Sequence, residues 1–292
     1  MAQALSKNWL MIVSFIGSQA HAIDLQPGDV TAPKIDIQVL QISYLNYEKG
    51  AYYLNNQKAS PNTKLDSEQI LVRYGRSFEI NQLPAFAYVQ APTGSMSPKG
   101  SLAALPGDTG VGDTSIAFGL WPYANRETNT YLAIGAYLTA PTGSYSSDRL
   151  INMGQNRYSS ALQVGYQMSP VKQLSWMHAV DVVWFGENTE SRNAAGVVGS
   201  LKQQNLYTYQ TGLLYQINKT YSLAGSYFYS VGGRTDFNGS LKDDMTQVQR
   251  YQLSAIAMFP IGKFTLQWGK DMTTRNGYFE NNRMLVRYTN YF

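Results

Sequence analysis

From residue 34 to its C-terminus the chain keeps returning to a period of two. Over 157–168, Tyr158, Ser160, Leu162, Val164, Tyr166 and Met168 share one face, and Arg157, Ser159, Ala161, Gln163, Gly165 and Gln167 share the other. Alternation of this kind marks a strand whose two faces meet different surroundings. Segment 203–216 repeats it, with Tyr207, Tyr209, Leu213 and Tyr215 opposite Thr208, Gln210 and Gly212. Segment 247–259 sets Tyr251, Leu253, Ala255, Ala257 and Phe259 against Arg250, Gln252 and Ser254. The last eleven residues set Met284, Val286, Tyr288 and Phe292 against Arg283, Arg287 and Thr289. The same reading places twelve strands near 34–46, 68–80, 84–92, 113–122, 129–140, 157–168, 175–186, 203–216, 221–231, 247–259, 263–272 and 282–292.

The connections alternate as well. Short turns fall near 81–83, 123–128, 169–174, 217–220 and 260–262; longer polar or glycine-rich loops fall near 47–67, 93–112, 141–156, 187–202, 232–246 and 273–281. A soluble sandwich has no reason to alternate so regularly. Strands that are apolar on one face and polar on the other, joined alternately by short and long links, suit a wall between lipid and a polar lumen. The expected fold is all-β: an antiparallel up-and-down transmembrane β-barrel of about twelve strands, with short periplasmic turns and long extracellular loops. An even count returns both termini to the periplasmic side. The first strand carries a register break at Val39-Leu40, read as a bulge.

The N-terminus adds an export signal. One positive charge, Lys7, precedes an apolar run from Trp9 to Gly17, and Ala20-His21-Ala22 supplies a cleavage pattern. The apolar run is too short to span a bilayer as a helix. Residues 1–22 are expected to be a signal peptide, 23–33 an N-terminal segment that stays mobile in the periplasm or enters the lumen, and 34–292 the barrel.

Composition narrows the class. With no cysteine, an exported chain of 292 residues needs stabilisation other than disulfides, and a closed sheet supplies it. Beyond the signal no stretch is apolar enough for a membrane-spanning helix. A chain that crosses lipid without helices must close its sheet, because lipid offers no partners to edge N–H and C=O groups. The net charge of +4 is mild, its signs are interspersed and no basic block occurs, so no nucleic-acid partner is expected. Twenty-two tyrosines and five tryptophans suit interfacial aromatic girdles.

Two features carry a resemblance. The final strand, ending in Phe292, resembles the closing strand of bacterial outer-membrane barrels, which implies recognition by the barrel-assembly machinery through that residue. Gln90-Ala91-Pro92-Thr93-Gly94-Ser95 recurs as Thr139-Ala140-Pro141-Thr142-Gly143-Ser144, each copy placed where an upward strand becomes a loop. Proline cannot donate to a ladder, and Thr-Gly suits a turn. With Asn152-Met153-Gly154-Gln155-Asn156-Arg157-Tyr158 and the Gly110-Val111-Gly112-Asp113 segment, the stretch from about 85 to 170 resembles the meta-pathway phenol-degradation family of outer-membrane barrels. That resemblance implies a Gram-negative outer membrane and passage of hydrophobic or aromatic compounds. It carries over no catalytic residue.

The alternation points Arg73, Arg157, Asp181, Arg250 and Arg287 into the lumen. Charges there tune solute selectivity, whereas on the lipid face they would be costly. Four arginines against one aspartate favour anions such as aromatic carboxylates; alternatively the charges pair across the lumen and plug it. A loop mouth is expected from Pro92, Thr93, Gly94, Pro141, Thr142, Gly143, Asp148, Asn152 and Asn156, or these form a self-bonded surface loop.

Enzymatic readings find little support. After signal cleavage His178 is the lone histidine, which cannot build a multi-histidine metal site, and a lipase-type partner two residues away is replaced by Trp176 and Val180. His178 is expected beside Trp176 near the periplasmic girdle. Asp236, Asp243 and Asp244 read as a solvated loop. No metal or cofactor is expected; the expected partners are outer-membrane lipid and a small solute. Two readings remain open: a passive channel for small hydrophobic or aromatic solutes, possessing anion preference, and a closed structural or adhesive barrel plugged by Arg–Asp pairs and residues 23–33.

Overall fold

A computed structural model describes residues 24–26 and 28–292; the expected signal peptide lies outside them. Twelve strands form the wall: β1 (Gln38–Leu54), β2 (Thr63–Ile80), β3 (Leu83–Gly100), β4 (Thr114–Asn125), β5 (Thr130–Ala140), β6 (Ser159–Val171), β7 (Leu174–Phe185), β8 (Leu206–Gln216), β9 (Tyr221–Gly232), β10 (Thr246–Phe259), β11 (Gly262–Thr274) and β12 (Gly277–Tyr291). Each pairs antiparallel with its neighbours in sequence, and β12 returns to β1 from Val39↔Tyr291 to Tyr53↔Gly277. Gln38 and Phe292 complete the seam with backbone hydrogen bonds of 2.8 and 3.0 Å. Closure leaves the wall no unpaired edge, which is what a sheet needs to sit in lipid.

The period of two sets the two faces. Leu40, Ile42 and Tyr44 on β1 are exposed, and so are their partners Ile70, Val72 and Tyr74 on β2. Leu162, Val164 and Tyr166 on β6 and Met284 and Val286 on β12 continue this outward apolar belt. Between them Gln41, Ser43, Gln163, Gln167, Gln210 and Gln267 point inward and are buried. His178 lies on the outer face, its ring 4.5 Å from that of Trp176 and its Nδ1 2.8 Å from the Tyr209 hydroxyl.

The β2–β3 turn illustrates the short end of the barrel. Asn81 and Gln82 both take positive φ, 48° and 67°, the backbone of a tight two-residue hairpin turn. At the other end β1, β2 and β3 run well past the expected limits at 46, 68 and 92. Above the membrane the outer face of the wall meets water, so the outward apolar residues give way to polar ones although the ladder continues. Exposed ion pairs mark this zone: Lys64–Glu48 and Lys99–Asp66, each at 2.6 Å. Within the long connections Asn188–Arg192, Val198–Gln203, Thr235–Phe237 and Ser240–Leu241 form a second, small antiparallel sheet.

Two expectations are corrected here. The ladder of β1 runs without a break through Val39 and Leu40 on both sides. Val39 faces the lumen, which explains the doubled apolar pair; the irregularities come later, between Glu48 and Lys49 and between Lys49 and Tyr52. Pro92, Thr93 and Gly94 do not begin a loop. They lie inside β3, opposite Leu71, Ile70 and Gln69 of β2. On the other side the β3–β4 ladder ends at Gln90↔Ser115, and a separate short strand, Asp108–Val111, pairs with β3 from Thr93↔Val111 onward. Pro92 sits in that gap, accepting the Gly112 N–H at 2.8 Å, so its missing donor costs no ladder bond.

Candidate functional site: the occupied lumen

The lumen is filled at two levels. The lower is the N-terminal segment, whose described residues between 24 and 33 run up from the short-turn end. Arg126, in the β4–β5 turn, donates to the carbonyls of Ala32 (3.2 Å) and Pro33 (2.7 Å). Val30 is 1% exposed and gives its carbonyl to the Trp121 indole N–H at 2.8 Å. Leu25, Val30 and Ala32 pack against Trp121, Tyr131, Met177 and Ala179 of the inner wall. The Leu25 N–H donates to Gln210 Oε1 at 2.9 Å. At the tip Asp24 pairs with Arg250 at 2.5 Å and lies 3.8 Å from Arg283.

The upper level is the connection between β5 and β6, residues 141–158, which folds inward. Leu150, Ile151 and Met153 join Leu65, Met96, Leu102 and Tyr278 in an apolar cluster; Ile151 is fully buried. Two aspartates pin the loop. Asp108 accepts from Arg149 (2.6 Å) and from the Met153 N–H (2.7 Å). Asp113 accepts from the N–H groups of Gly143 (2.9 Å) and Gln155 (2.8 Å). Burial raises the Asp113 carboxyl above its ordinary range, against the two N–H groups and Arg157, which lower it.

Gly143 shows why the Pro-Thr-Gly copy at 141–143 takes this form. A Cβ there would stand 2.7 Å from Gly154 Cα and 2.8 Å from Asp113 Oδ1. Gly143→Val is expected to destabilise the loop's docking by about 1–3 kcal/mol, the usual cost of overpacking. Protease nicking at the loop in purified barrels is the readout; resistance equal to the wild type would refute the packing argument.

The remaining expected mouth residues separate. The Thr142 hydroxyl accepts the Thr114 N–H at 2.8 Å, while Pro141 simply ends β5. Asn152 is buried and closes a turn on itself, accepting from the Ser146 N–H and donating to the Ser146 and Arg149 carbonyls. Asn156 takes positive φ (54°) and donates to Asn188. Asp148 stands in solvent, 3.8 Å from Arg192.

The five expected lumen charges all face inward, but they do not form a mutual network. Among the described residues Arg250 alone of these five has an oppositely charged partner within 4.0 Å, and Asp24 of the N-terminal segment supplies it. The Arg73 guanidinium lies 4.0 Å from the Tyr88 ring and donates to Gln90. Arg287 donates to the Ser43 hydroxyl at 3.0 Å. Asp181 accepts from Gln210 (2.8 Å) and Gln163 (3.4 Å). Arg157 donates to Gln155 and Gln203. Burial pushes its guanidinium down to about 10, with Asp113 opposing, so it stays charged at neutral pH.

Other lumen groups complete the picture. Lys49, Asp271 and Glu280 are buried, and Glu280 holds Arg283 at 3.2 Å. Asp271 follows from the inward period of β11 and was open to a sequence reading. Lys49 and Glu280 fall in stretches read as loops, and Asp24 depends on how the N-terminal segment threads.

Two cavities border the in-folded loop. One, of about 160 Å³, lies between the in-folded loop and the β8–β12 side; Asp24, Lys49, Tyr52, Arg157, Phe228, Arg250 and Tyr278 are among its walls. The other, of about 230 Å³, is bounded by Tyr47, Gln69, Asp113, Tyr137 and Arg283 among others. Gln155 borders both.

A closed twelve-stranded barrel with an apolar belt, short turns at one end and a polar, charged interior is an outer-membrane barrel of Gram-negative type. The chain belongs to the family described as "Putative MetA-pathway of phenol degradation", which it matches over residues 49–288. Its fold is shared by the COG4313 outer membrane channel from Pseudomonas putida F1, with a TM-score of 0.87 and 26% identity over 92% of this chain and 100% of that one. The β-domain of the Bordetella autotransporter BrkA (TM-score 0.54, 9% identity, 88% of this chain and 100% of that chain) shares the fold alone. So does the translocator domain of NalP from Neisseria meningitidis (TM-score 0.50, 11% identity, 90% and 91%). No curated protein matches the sequence. The class is thus an outer-membrane channel.

Proposed function

We propose that this channel admits small hydrophobic or aromatic compounds, acids included, by passive diffusion, and that it is not an enzyme. The observation that carries this reading is the make-up of the charged cavity of about 160 Å³. Aromatic side chains of Tyr52, Phe228 and Tyr278 share its walls with Arg157 and Arg250. Three of the four expected lumen arginines, Arg73, Arg157 and Arg287, have no carboxylate within 4.0 Å among the described residues. An excess of unpaired arginine in a narrow lumen favours anions. The family's association with phenol degradation supports an aromatic solute.

The test is uptake of benzoate and of phenol into liposomes carrying the purified barrel, beside planar-bilayer recordings. Faster uptake than in empty liposomes, with anion-selective current, is expected. A barrel inserted and folded that passes neither solute, even with its N-terminal segment removed, would refute the proposal. The two-level filling of the lumen favours a second reading, a closed structural barrel, and that silent result is the one it requires.

We also propose that Phe292 marks the chain for the barrel-assembly machinery. The residue is 55% exposed while its backbone holds the seam to Gln38. Phe292→Ala is expected to lower the amount of folded barrel in outer membranes several-fold and to leave refolding in detergent unchanged. Equal loss in both settings would make the residue structural instead.

A further inference from the structure

Among the lumen charges Arg157 is set apart by what its hydrogens lack. It is 8% exposed, and no carboxylate approaches it within 4.0 Å among the described residues. Its Nε and Nη2 reach Gln155 Oε1 (3.2 and 3.1 Å), and Nη2 reaches Gln203 Oε1 at 2.6 Å. Both acceptors are neutral amides. Nη1 is buried and has no partner at all. A buried cation without a counter-charge is costly, and an unmade charged hydrogen bond adds to that cost.

The surroundings favour one kind of counter-ion. The guanidinium carbon lies 4.8 Å from the centre of the Phe185 ring, which fixes its plane. The two amides take the hydrogens of Nε and Nη2, so Nη1 is left free and is oriented before anything binds. The same residue lines the cavity of about 160 Å³ with Tyr52, Phe228 and Tyr278. A cavity near 150 Å³ is large enough to take up a benzene ring. Asp113, the acid whose field Arg157 feels, has both oxygens committed to the N–H groups of Gly143 and Gln155.

We infer that this cavity is a binding site for a planar aromatic monocarboxylate, whose carboxylate accepts from the unpartnered Nη1 of Arg157 while its ring lies among the aromatic walls. The inference rests on the transport reading for its solute class and makes that reading specific. A carboxylate oxygen on Nη1 makes a charge-assisted hydrogen bond, and the single charge of the guanidinium matches a monoanion. A neutral phenol would enter the same cavity without that contact.

The test is calorimetric titration of benzoate, phenol and chloride into the barrel purified from outer membranes, intact and with residues 24–33 removed. Two variants are compared, each checked for folding by its heat-modifiable mobility. Arg157→Gln removes the cation. Gln203→Glu keeps it and supplies an internal carboxylate at the position that already touches Nη2. Loss of one charge-assisted contact predicts at least about a tenfold fall in benzoate affinity in both variants, with phenol unchanged. Benzoate affinity within about twofold of wild type in either folded variant overturns the site, as does absence of benzoate binding in both forms of the wild type. Chloride competing as strongly as benzoate overturns it too. Conductance of the same preparations keeps the two claims apart. A barrel that passes benzoate regardless of Arg157 retains transport and loses this site. One that binds benzoate through Arg157 and never conducts retains the site and loses transport.

Discussion

Deleting residues 24–33 is expected to convert a barrel of low, intermittent conductance into one that conducts steadily. The segment fills the lower lumen through apolar contact, hydrogen bonds to the wall and the pairing of Asp24 with Arg250 and Arg283. Burying Leu25 and Val30 contributes about 1.5–3 kcal/mol each. Breaking the Asp24–Arg250 pair by removing one partner costs about 3–5 kcal/mol, because the other charge stays buried. Asp24→Asn separates these effects: it keeps the shape and removes the charge. At about 1.4 kcal/mol per factor of ten, even a fraction of the ion-pair energy shifts the docked fraction by more than tenfold. Planar-bilayer recordings should therefore rank open probability as deletion above Asp24→Asn above wild type. If all three conduct alike, the N-terminal segment is not the barrier to flow, and the in-folded loop is.

The second large effect is expected at Asp108. Its side chain is almost fully buried and holds the 141–158 loop at two points, the Arg149 guanidinium and the Met153 N–H. Asp108→Ala strands Arg149 beside the apolar cluster of Ile151 and Met153, at a cost of about 3–5 kcal/mol. The expected outcome is a loop that lifts from the lumen while the wall stays intact. Trypsin added to whole cells should then cut after Arg149, which wild-type barrels protect, and the heat-modifiable mobility of the uncut barrel should persist. Loss of the folded band itself would mean that Asp108 supports the wall rather than the loop.

The wall was legible because lipid enforces a rule on it. On β6, β8 and β10 every outward residue must tolerate hydrocarbon and every inward one meets polar neighbours, so period two survives in the sequence. Where β1, β2 and β3 rise above the lipid that rule lapses, and Glu48 and Asp66 read as loop although they face each other in a ladder. The facing of Arg73, Arg157, Asp181, Arg250 and Arg287 follows from the same alternation. Their partners do not, since pairing depends on neighbours around the barrel and on chain ends that thread it. The inward fold of 141–158 left one unread signal: Leu150, Ile151 and Met153 are too apolar for a loop that stays in water.

The seam between β1 and β12 has a consequence for how the molecule forms. Gln41 and Thr289 meet across it, 248 residues apart in sequence, whereas the other eleven strand pairings join neighbours in the chain order of the wall. Contacts between such distant residues are reached only after a large loss of chain entropy, which makes them slow. Ten internal strands can zip in sequence, but the cylinder exists only once its first and last strands find one another. Until then the wall is an open sheet with two adhesive margins. The growing barrel is thus most vulnerable to aggregation at the moment before it closes, and the terminal strands govern the speed of the final step.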